Sequence, residues 1–257
     1  MTRIDIELVK RGIFETRNKA QNEIKNKIVY CNNICITKPS FDVSDTDTLE
    51  IKGEKLKYVS RGGLKLEKAI KKFNIDLKDK ILIDIGSSTG GFSDCAIKNG
   101  IKKVYAIDVG TDQFDKKLKL NNKIHLYEKT DFRNINNNII NDANIASIDV
   151  SFISVTKLTS KLNELNNLKE IICLIKPQFE CGKEISDKYR GVPLNKEVHY
   201  KVINDVINSF EENNFYINDL TSSPIRGGNG NIEYLAYFKR NKERSINIEK
   251  VVNKVFF

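Results

Sequence analysis

Apolar residues fall into two kinds of pattern along this chain, and the change between them comes near Lys65. Beyond it, short apolar runs of strand length at 81–83 and 171–175 alternate with amphipathic segments. The pattern predicts strands at 81–85, 103–107, 145–149, 170–175, 215–221 and 232–238. Between them it predicts helices near 91–99, 112–120 and 196–213, with a further helix leading from Lys65 into the first strand. In the long helix Val198, Val202, Val206 and Phe210 recur every four residues beside Ile203 and Ile207, a stripe that faces a core. Strands alternating with helices predict an α/β domain with a mostly parallel sheet and helices on both faces.

The first sixty residues read differently. Thr2 is placed to cap a helix whose apolar positions Ile4, Leu8 and Val9 share a face, with Gly12 ending it. A second helix runs from Thr16 to Lys27 with a thin apolar face, Ala20 and Ile24. Short strands follow at 28–30 and 34–36 around a tight turn at Asn32-Asn33, and 49–51 offers a third. Positive charge gathers on the helices at Lys10, Arg11, Arg17, Lys19, Lys25 and Lys27, while Asp42, Asp45, Asp47 and Glu50 come later.

Composition narrows the function classes. The chain has 257 residues, 40% of them hydrophobic, and carries a formal charge of +9 from 43 basic and 34 acidic residues. That length fits one catalytic domain plus a small module, and that charge attracts polyanions. No apolar run approaches the roughly 20 residues that span a membrane. Asp5 and Glu7 interrupt Ile4, Ile6 and Leu8, which is neither a signal nor a transit peptide, so a cytoplasmic location without stable membrane association is expected. Cys31, Cys35, Cys95, Cys173 and Cys181 lack the paired spacing of a zinc site and read as reduced structural thiols.

The chemistry concentrates in a loop directly after the first long strand, Asp84-Ile85-Gly86-Ser87-Ser88-Thr89-Gly90-Gly91-Phe92. Its glycines allow a ligand to approach the backbone at the carboxyl edge of a sheet. The G-x-G-x-x-G order of dinucleotide sites is absent, and Asp84 favours a cationic ligand over a pyrophosphate. S-adenosylmethionine carries an ammonium and a sulfonium and no phosphate, which suits Asp84 near its methionine end. Asp108 ends the next strand about twenty residues on, where a carboxylate accepts from ribose hydroxyls. Asp131, in Thr130-Asp131-Phe132-Arg133, is placed to accept from the adenine amino group.

Two resemblances extend this reading. Arg3-x-Asp5, Leu8, Arg11-Gly12, Thr16-Arg17, Ala20, Ile24, Val29 and Asn32-Asn33 resemble an S4 domain, a small α+β module that binds structured RNA through basic helices. The resemblance implies RNA contacts from Arg3, Lys10, Arg11, Arg17 and Lys25, with Arg61 beside the catalytic domain. Ser60-Arg61-Gly62-Gly63-Leu64-Lys65, Gly86-Ser87-Ser88-Thr89-Gly90-Gly91-Phe92, Asp149-Val150-Ser151-Phe152-Ile153-Ser154 and Lys176-Pro177-Gln178-Phe179-Glu180 together resemble the TlyA family over essentially the whole chain. That family joins an S4 domain to an FtsJ-like catalytic domain, a Rossmann-like class I methyltransferase with a mostly parallel seven-stranded sheet. The division expected here is 1–60 and 61–257, with a linker at about 53–62. Two departures stand out: Ser87-Ser88 replaces Ala-Ser, and Lys55-Leu56-Lys57-Tyr58-Val59 replaces a tryptophan-containing linker.

The resemblance implies a catalytic tetrad of Lys65, Asp149, Lys176 and Glu233, with S-adenosylmethionine leaving as S-adenosylhomocysteine. The expected reaction is methylation of a ribose 2'-OH in ribosomal RNA, with cytidine as the family's nucleotide and the RNA or a ribosomal subunit as partner. Such a displacement needs alignment and charge control and requires no metal. Lys176 either accepts the 2'-OH proton as an amine or stabilises the developing alkoxide as an ammonium, with the second favoured. His125 and His199 lie outside these segments and read as structural or surface residues. Two alternatives belong to other classes: a cytolysin, because the family has carried the name haemolysin, and an S4-containing RNA-binding factor without catalysis. The first needs a membrane-inserting segment that the pattern does not supply, and the second has no use for a complete cofactor loop and four charged residues.

Overall fold

A run that is apolar on successive residues must be covered on both sides, and the computed structural model shows how that is met. It describes residues 1–25, 27–52, 56–243 and 245–256, so residues 53–55 of the expected linker lie outside the described residues. Contacts divide the chain into two units, Met1–Lys55 and Leu56–Phe257. Among the described residues no helix is long and apolar enough to cross a membrane.

The first unit contains β1 (Thr2–Arg3), α1 (Ile4–Lys10), α2 (Arg17–Lys25), β2 (Val29–Cys31), β3 (Ile34–Cys35), β4 (Asp42–Val43) and β5 (Leu49–Ile51). Ile4, Leu8, Ala20, Ile24, Val29, Cys31, Ile36 and Val43 form its core. Asn32 and Asn33 both adopt positive φ, 49° and 67°, as the tight β2–β3 turn requires. Thr2 does not cap α1. It pairs with Val43 in a short ladder, and the orphan amide of Ile4 is satisfied by the Phe41 carbonyl at 2.7 Å.

The second unit runs α3 (Gly62–Phe73), β6 (Ile81–Ile85), α4 (Gly91–Lys98), β7 (Lys103–Ile107), α5 (Lys116–Lys119), β8 (Ile124–Tyr127), α6 (Asn137–Ile140) and β9 (Ile145–Ile148). It continues with α7 (Thr159–Asn163), β10 (Glu170–Ile175), α8 (Pro177–Glu180), α9 (Lys183–Lys188), α10 (Lys196–Glu211), β11 (Tyr216–Ser222), β12 (Tyr234–Lys239) and α11 (Ile248–Asn253). The sheet order is β11-β12-β10-β9-β6-β7-β8, parallel except where β12 meets its two neighbours. Successive residues of a strand enter opposite cores. Ile83, Ile85, Cys173 and Ile175 pack with Val202, Val206 and Phe210 of α10, while Leu82, Ile172 and Leu174 pack with Leu66, Ala69 and Phe73 of α3.

Two expectations for this unit change. The helix expected near 112–120 is confined to α5, because Asp112 takes φ 55° and the Asp115 carboxylate caps the amide of Lys117. The seventh strand is β8, a half-exposed edge strand beside β7 whose pattern is too short and mixed to register as one. Strand order reverses between β6 and β9, so the carboxyl ends of these two strands flank the crevice where open α/β sheets place their ligands.

Candidate active site

Six strand ends and one helix supply the side chains at that crevice. β6 runs into the glycine loop, where Gly86 and Gly90 adopt φ of 80° and 88°. A Cβ at Gly86 would stand 2.7 Å from the Asp149 carbonyl oxygen, so only glycine lets this loop lie against the end of β9. The Ser88 amide donates to Asp108 Oδ2 and the Gly110 amide to Asp108 Oδ1, both at 2.7 Å. Asp108 is thereby fixed at the end of β7 while remaining partly exposed. Among the described residues Ser87 Oγ, within this loop, is buried without a hydrogen-bond partner.

Asp84 is fully enclosed beneath this loop, and its two oxygens accept from Ser93 Oγ at 2.6 Å and Ser147 Oγ at 2.8 Å. Burial pushes its carboxyl up to about 6, against the two serine hydroxyls that favour the charged form. The sign is that of a group whose native form resists ionisation. Above about pH 6 the folded chain bears the full cost of a buried carboxylate, and as pH falls from about 6 toward about 4 protonation of the native state relieves about 3 kcal/mol. Asp84→Asn is expected to be more stable than the unsubstituted chain at pH 7 and to lack that rise in stability between pH 6 and 4. Chemical denaturation of both proteins across this range checks it, and parallel curves would refute it.

Asp131 sits beyond β8, and the Thr130 amide donates to the Asp108 carbonyl at 2.9 Å. Both Asp131 oxygens are engaged by Arg133, through its Nε at 3.0 and 3.1 Å and its Nη2 at 2.5 Å. The guanidinium holds this carboxyl below the usual carboxylate range. Arg133 escapes a reading of residue types, because only the turn at Phe132–Asn134 brings it back onto Asp131.

On the other side of the crevice lies a chain of alternating charges. Lys176 ends β10, where the following Pro177 disfavours helical geometry and keeps Lys176 extended at φ −115°. Its Nζ lies 2.6 Å from Asp149 Oδ1. Asp149 Oδ2 lies 3.6 Å from Lys65 Nζ in the first turn of α3, and Lys65 Nζ lies 2.8 Å from Glu233 Oε2 ahead of β12. Lys65, Lys176 and Glu233 are buried and Asp149 nearly so. Two cations and two anions close to neutrality, which is what makes four charges tolerable out of water. Burial pushes the Asp149 carboxyl up, but Lys176 and Lys65 outweigh it and hold the group below its ordinary value. Gly227 packs so closely on the Glu233 carboxylate that a Cβ there would displace it.

The residue types of the sequence reading thus converge on one crevice, yet three partners in it come from the geometry. Ser151 Oγ lies 2.9 Å from Lys176 Nζ, and Glu180 accepts from Ser154 Oγ at 2.5 Å and from the Val155 amide at 2.9 Å. Phe152 adopts φ 63°, is 91% exposed and packs against Phe179 with ring centres 5.0 Å apart. His199 is fully buried, bonded to the Pro193 carbonyl and to Tyr234 Oη.

In the first unit, Asp5 is fully buried and receives Arg3 at 3.1 Å, Arg17 at 2.8 Å and Gln21 at 2.6 Å. Both guanidiniums remain about half exposed. Lys10 is exposed near Asp45, and Lys25 is exposed. Arg11 is more enclosed, spanning Glu7 and the carbonyls of Ser44 and Asp47 as a strut. Arg61 is exposed just ahead of α3.

Comparison with known proteins follows the same division. Residues 58–240 match the FtsJ-like methyltransferase family model and residues 2–49 match the S4 domain model. A candidate rRNA methyltransferase of Bacillus subtilis, YqxC, is 43% identical over 91% of this chain and 84% of its own length. The 23S rRNA (cytidine-2'-O)-methyltransferase TlyA of Campylobacter jejuni is 36% identical over 88% of this chain and 95% of its own. The solved structure of a candidate hemolysin from Streptococcus thermophilus superposes with a TM-score of 0.75 and 39% identity, covering 98% of this chain and 94% of that one.

Proposed function

This chain belongs to the FtsJ-like methyltransferase family and, within it, to the S4-bearing TlyA proteins, and on that footing we propose that it methylates a ribose 2'-oxygen of ribosomal RNA. The observation that carries the reading is the run Glu233–Lys65–Asp149–Lys176, set against the back of the glycine loop. A nucleotide that donates a ribose hydroxyl needs a group that takes or balances its proton, and Lys176, braced by the Asp149 carboxylate, does either. Cytidine as the target follows the activity named for the Campylobacter relative.

S-adenosylmethionine, when bound, supplies a methyl group on a positively charged sulfur. The loop residues Gly86, Ser87, Ser88, Thr89, Gly90, Gly91 and Phe92 would hold it, with Asp108 accepting from its ribose, Asp131 near its adenine and the buried Asp84 contributing negative charge from below. The unpartnered Ser87 Oγ and the glycines at positive φ fit such a ligand. Lys176 would face the RNA hydroxyl, Asp149 would keep Lys176 in place, and Lys65 with Glu233 would keep Asp149 in place. Arg3, Lys10, Arg17 and Lys25 would meet RNA phosphates, and Arg11 would serve mainly to hold the module that presents them.

Asp108→Ala tests the cofactor half. The substitution removes a ribose acceptor and frees the amides of Ser88 and Gly110, so affinity for S-adenosylmethionine is expected to fall about ten- to a hundredfold, in line with about 1.5 to 3 kcal/mol for charged hydrogen bonds. Calorimetric titration of the folded variant reads it directly. An unchanged dissociation constant would remove Asp108 from the site.

A further inference from the structure

A lysine side chain ends in a nitrogen with three directions to spend, and a long stem that leaves them free to rotate. At Lys176 two of the three are taken, one by Asp149 Oδ1 at 2.6 Å and one by Ser151 Oγ at 2.9 Å. A single acceptor would let the head spin about its axis; two acceptors fix it. The third direction then points to one place whatever it holds, a lone pair in the amine or an N–H in the ammonium.

The turn carrying Ser151 is held with corresponding care. Phe152, the next residue, sits at φ 63°, which is costly for an aromatic L-residue and does not persist without support. That support comes from the segment that also carries Lys176. Lys176 grips Asp149 and Ser151 at the front of the turn, Glu180 grips Ser154 and Val155 at its back, and Phe179 packs on the Phe152 ring between them. The Ser151 hydroxyl is therefore set in position by two hydrogen-bonded anchors at the two ends of a four-residue helix, Lys176 just before it and Glu180 closing it, although Ser151 itself is exposed and fills no core.

We propose that Ser151 is a positioning residue of the reacting centre, aiming the remaining direction of Lys176 Nζ at the ribose oxygen it acts on. The inference rests on the reading of Lys176 given above and adds a fifth member to the four charged residues.

The test uses the full chain with Ser151→Ala, Ser151→Thr and Lys176→Ala prepared in parallel, labelled S-adenosylmethionine as donor and ribosomal RNA as acceptor. Ser151→Ala is expected to lower kcat about tenfold, equivalent to about 1.4 kcal/mol. KM for RNA, the S-adenosylmethionine dissociation constant and the melting temperature should stay near those of the unsubstituted chain. Ser151→Thr, which keeps the hydroxyl, should recover most of the lost kcat. A fully active Ser151→Ala beside an inactive Lys176→Ala would overturn the role of Ser151 alone, as would a Thr variant no better than Ala. A Lys176→Ala chain that still turned over would overturn the reading of the centre, and this inference with it.

Discussion

Lys176→Ala is expected to keep cofactor and RNA binding within a fewfold while losing about three orders of magnitude of turnover, within the range of a positioned acid–base group. The group removed is buried at a strand end, touches Asp149 and Ser151, and lies over the Phe179 ring, 5.8 Å from its centre. The other lysine of the run, Lys65, is committed to Glu233 and Asp149 and does not replace it. Among the described residues the substitution also leaves Asp149 paired with the more distant Lys65 alone, so some loss of stability should accompany it, and circular dichroism must show that the variant remains folded. Lys176→Arg separates the two roles left open by the sequence. An arginine keeps the charge but does not act as a base, so partial activity would assign charge stabilisation and complete loss would favour proton transfer or a steric demand. Near-normal turnover by Lys176→Ala, measured with saturating RNA and donor, would refute the assignment.

Removing the first unit is expected to separate RNA affinity from cofactor affinity. A fragment beginning at Leu56 keeps both layers of the sheet core and every residue of the crevice, so its S-adenosylmethionine dissociation constant should match that of the full chain. Its affinity for ribosomal RNA should fall by about two orders of magnitude at physiological salt, and the dependence of affinity on salt should flatten because fewer phosphates are neutralised. The expectation rests on the half-exposed Arg3 and Arg17, locked onto the buried Asp5, together with Lys10 and Lys25. Two guanidiniums sharing one carboxylate leave a net positive charge with restricted freedom, a favourable start for gripping a phosphate. A fragment that bound RNA with the same affinity and salt slope as the whole chain would refute the division of labour.

Legibility in the sequence followed burial. Strands covered on both faces, β6 and β10, announce themselves as apolar runs, and the one-sided α10 announces itself by its four-residue stripe. Asn32-Asn33 marked its turn because few other residues accept positive φ in succession. The edge strand β8, half exposed and four residues long, lacks any such signature. Thr2 looked like a helix cap because its type suits that role, but a carbonyl thirty-nine residues away in sequence supplies the need instead. The site divides in the same way. The loop and the carboxylates at strand ends could be read from local order, and Lys65, Asp149, Lys176 and Glu233 entered through family resemblance. That Lys65 meets Glu233 across 168 positions, that Ser93 and Ser147 hold Asp84, and that Glu180 braces the Ser151 turn are consequences of packing. No local pattern encodes them.

The identity of the methylated atom tests the central claim most directly. Ribosomal RNA incubated with the full chain and isotope-labelled S-adenosylmethionine, digested to nucleosides and resolved by mass spectrometry, should carry the label on ribose as a 2'-O-methylnucleoside, and DNA of the same sequence, lacking the 2'-OH, should carry none. Label on a base, or on DNA, would contradict it.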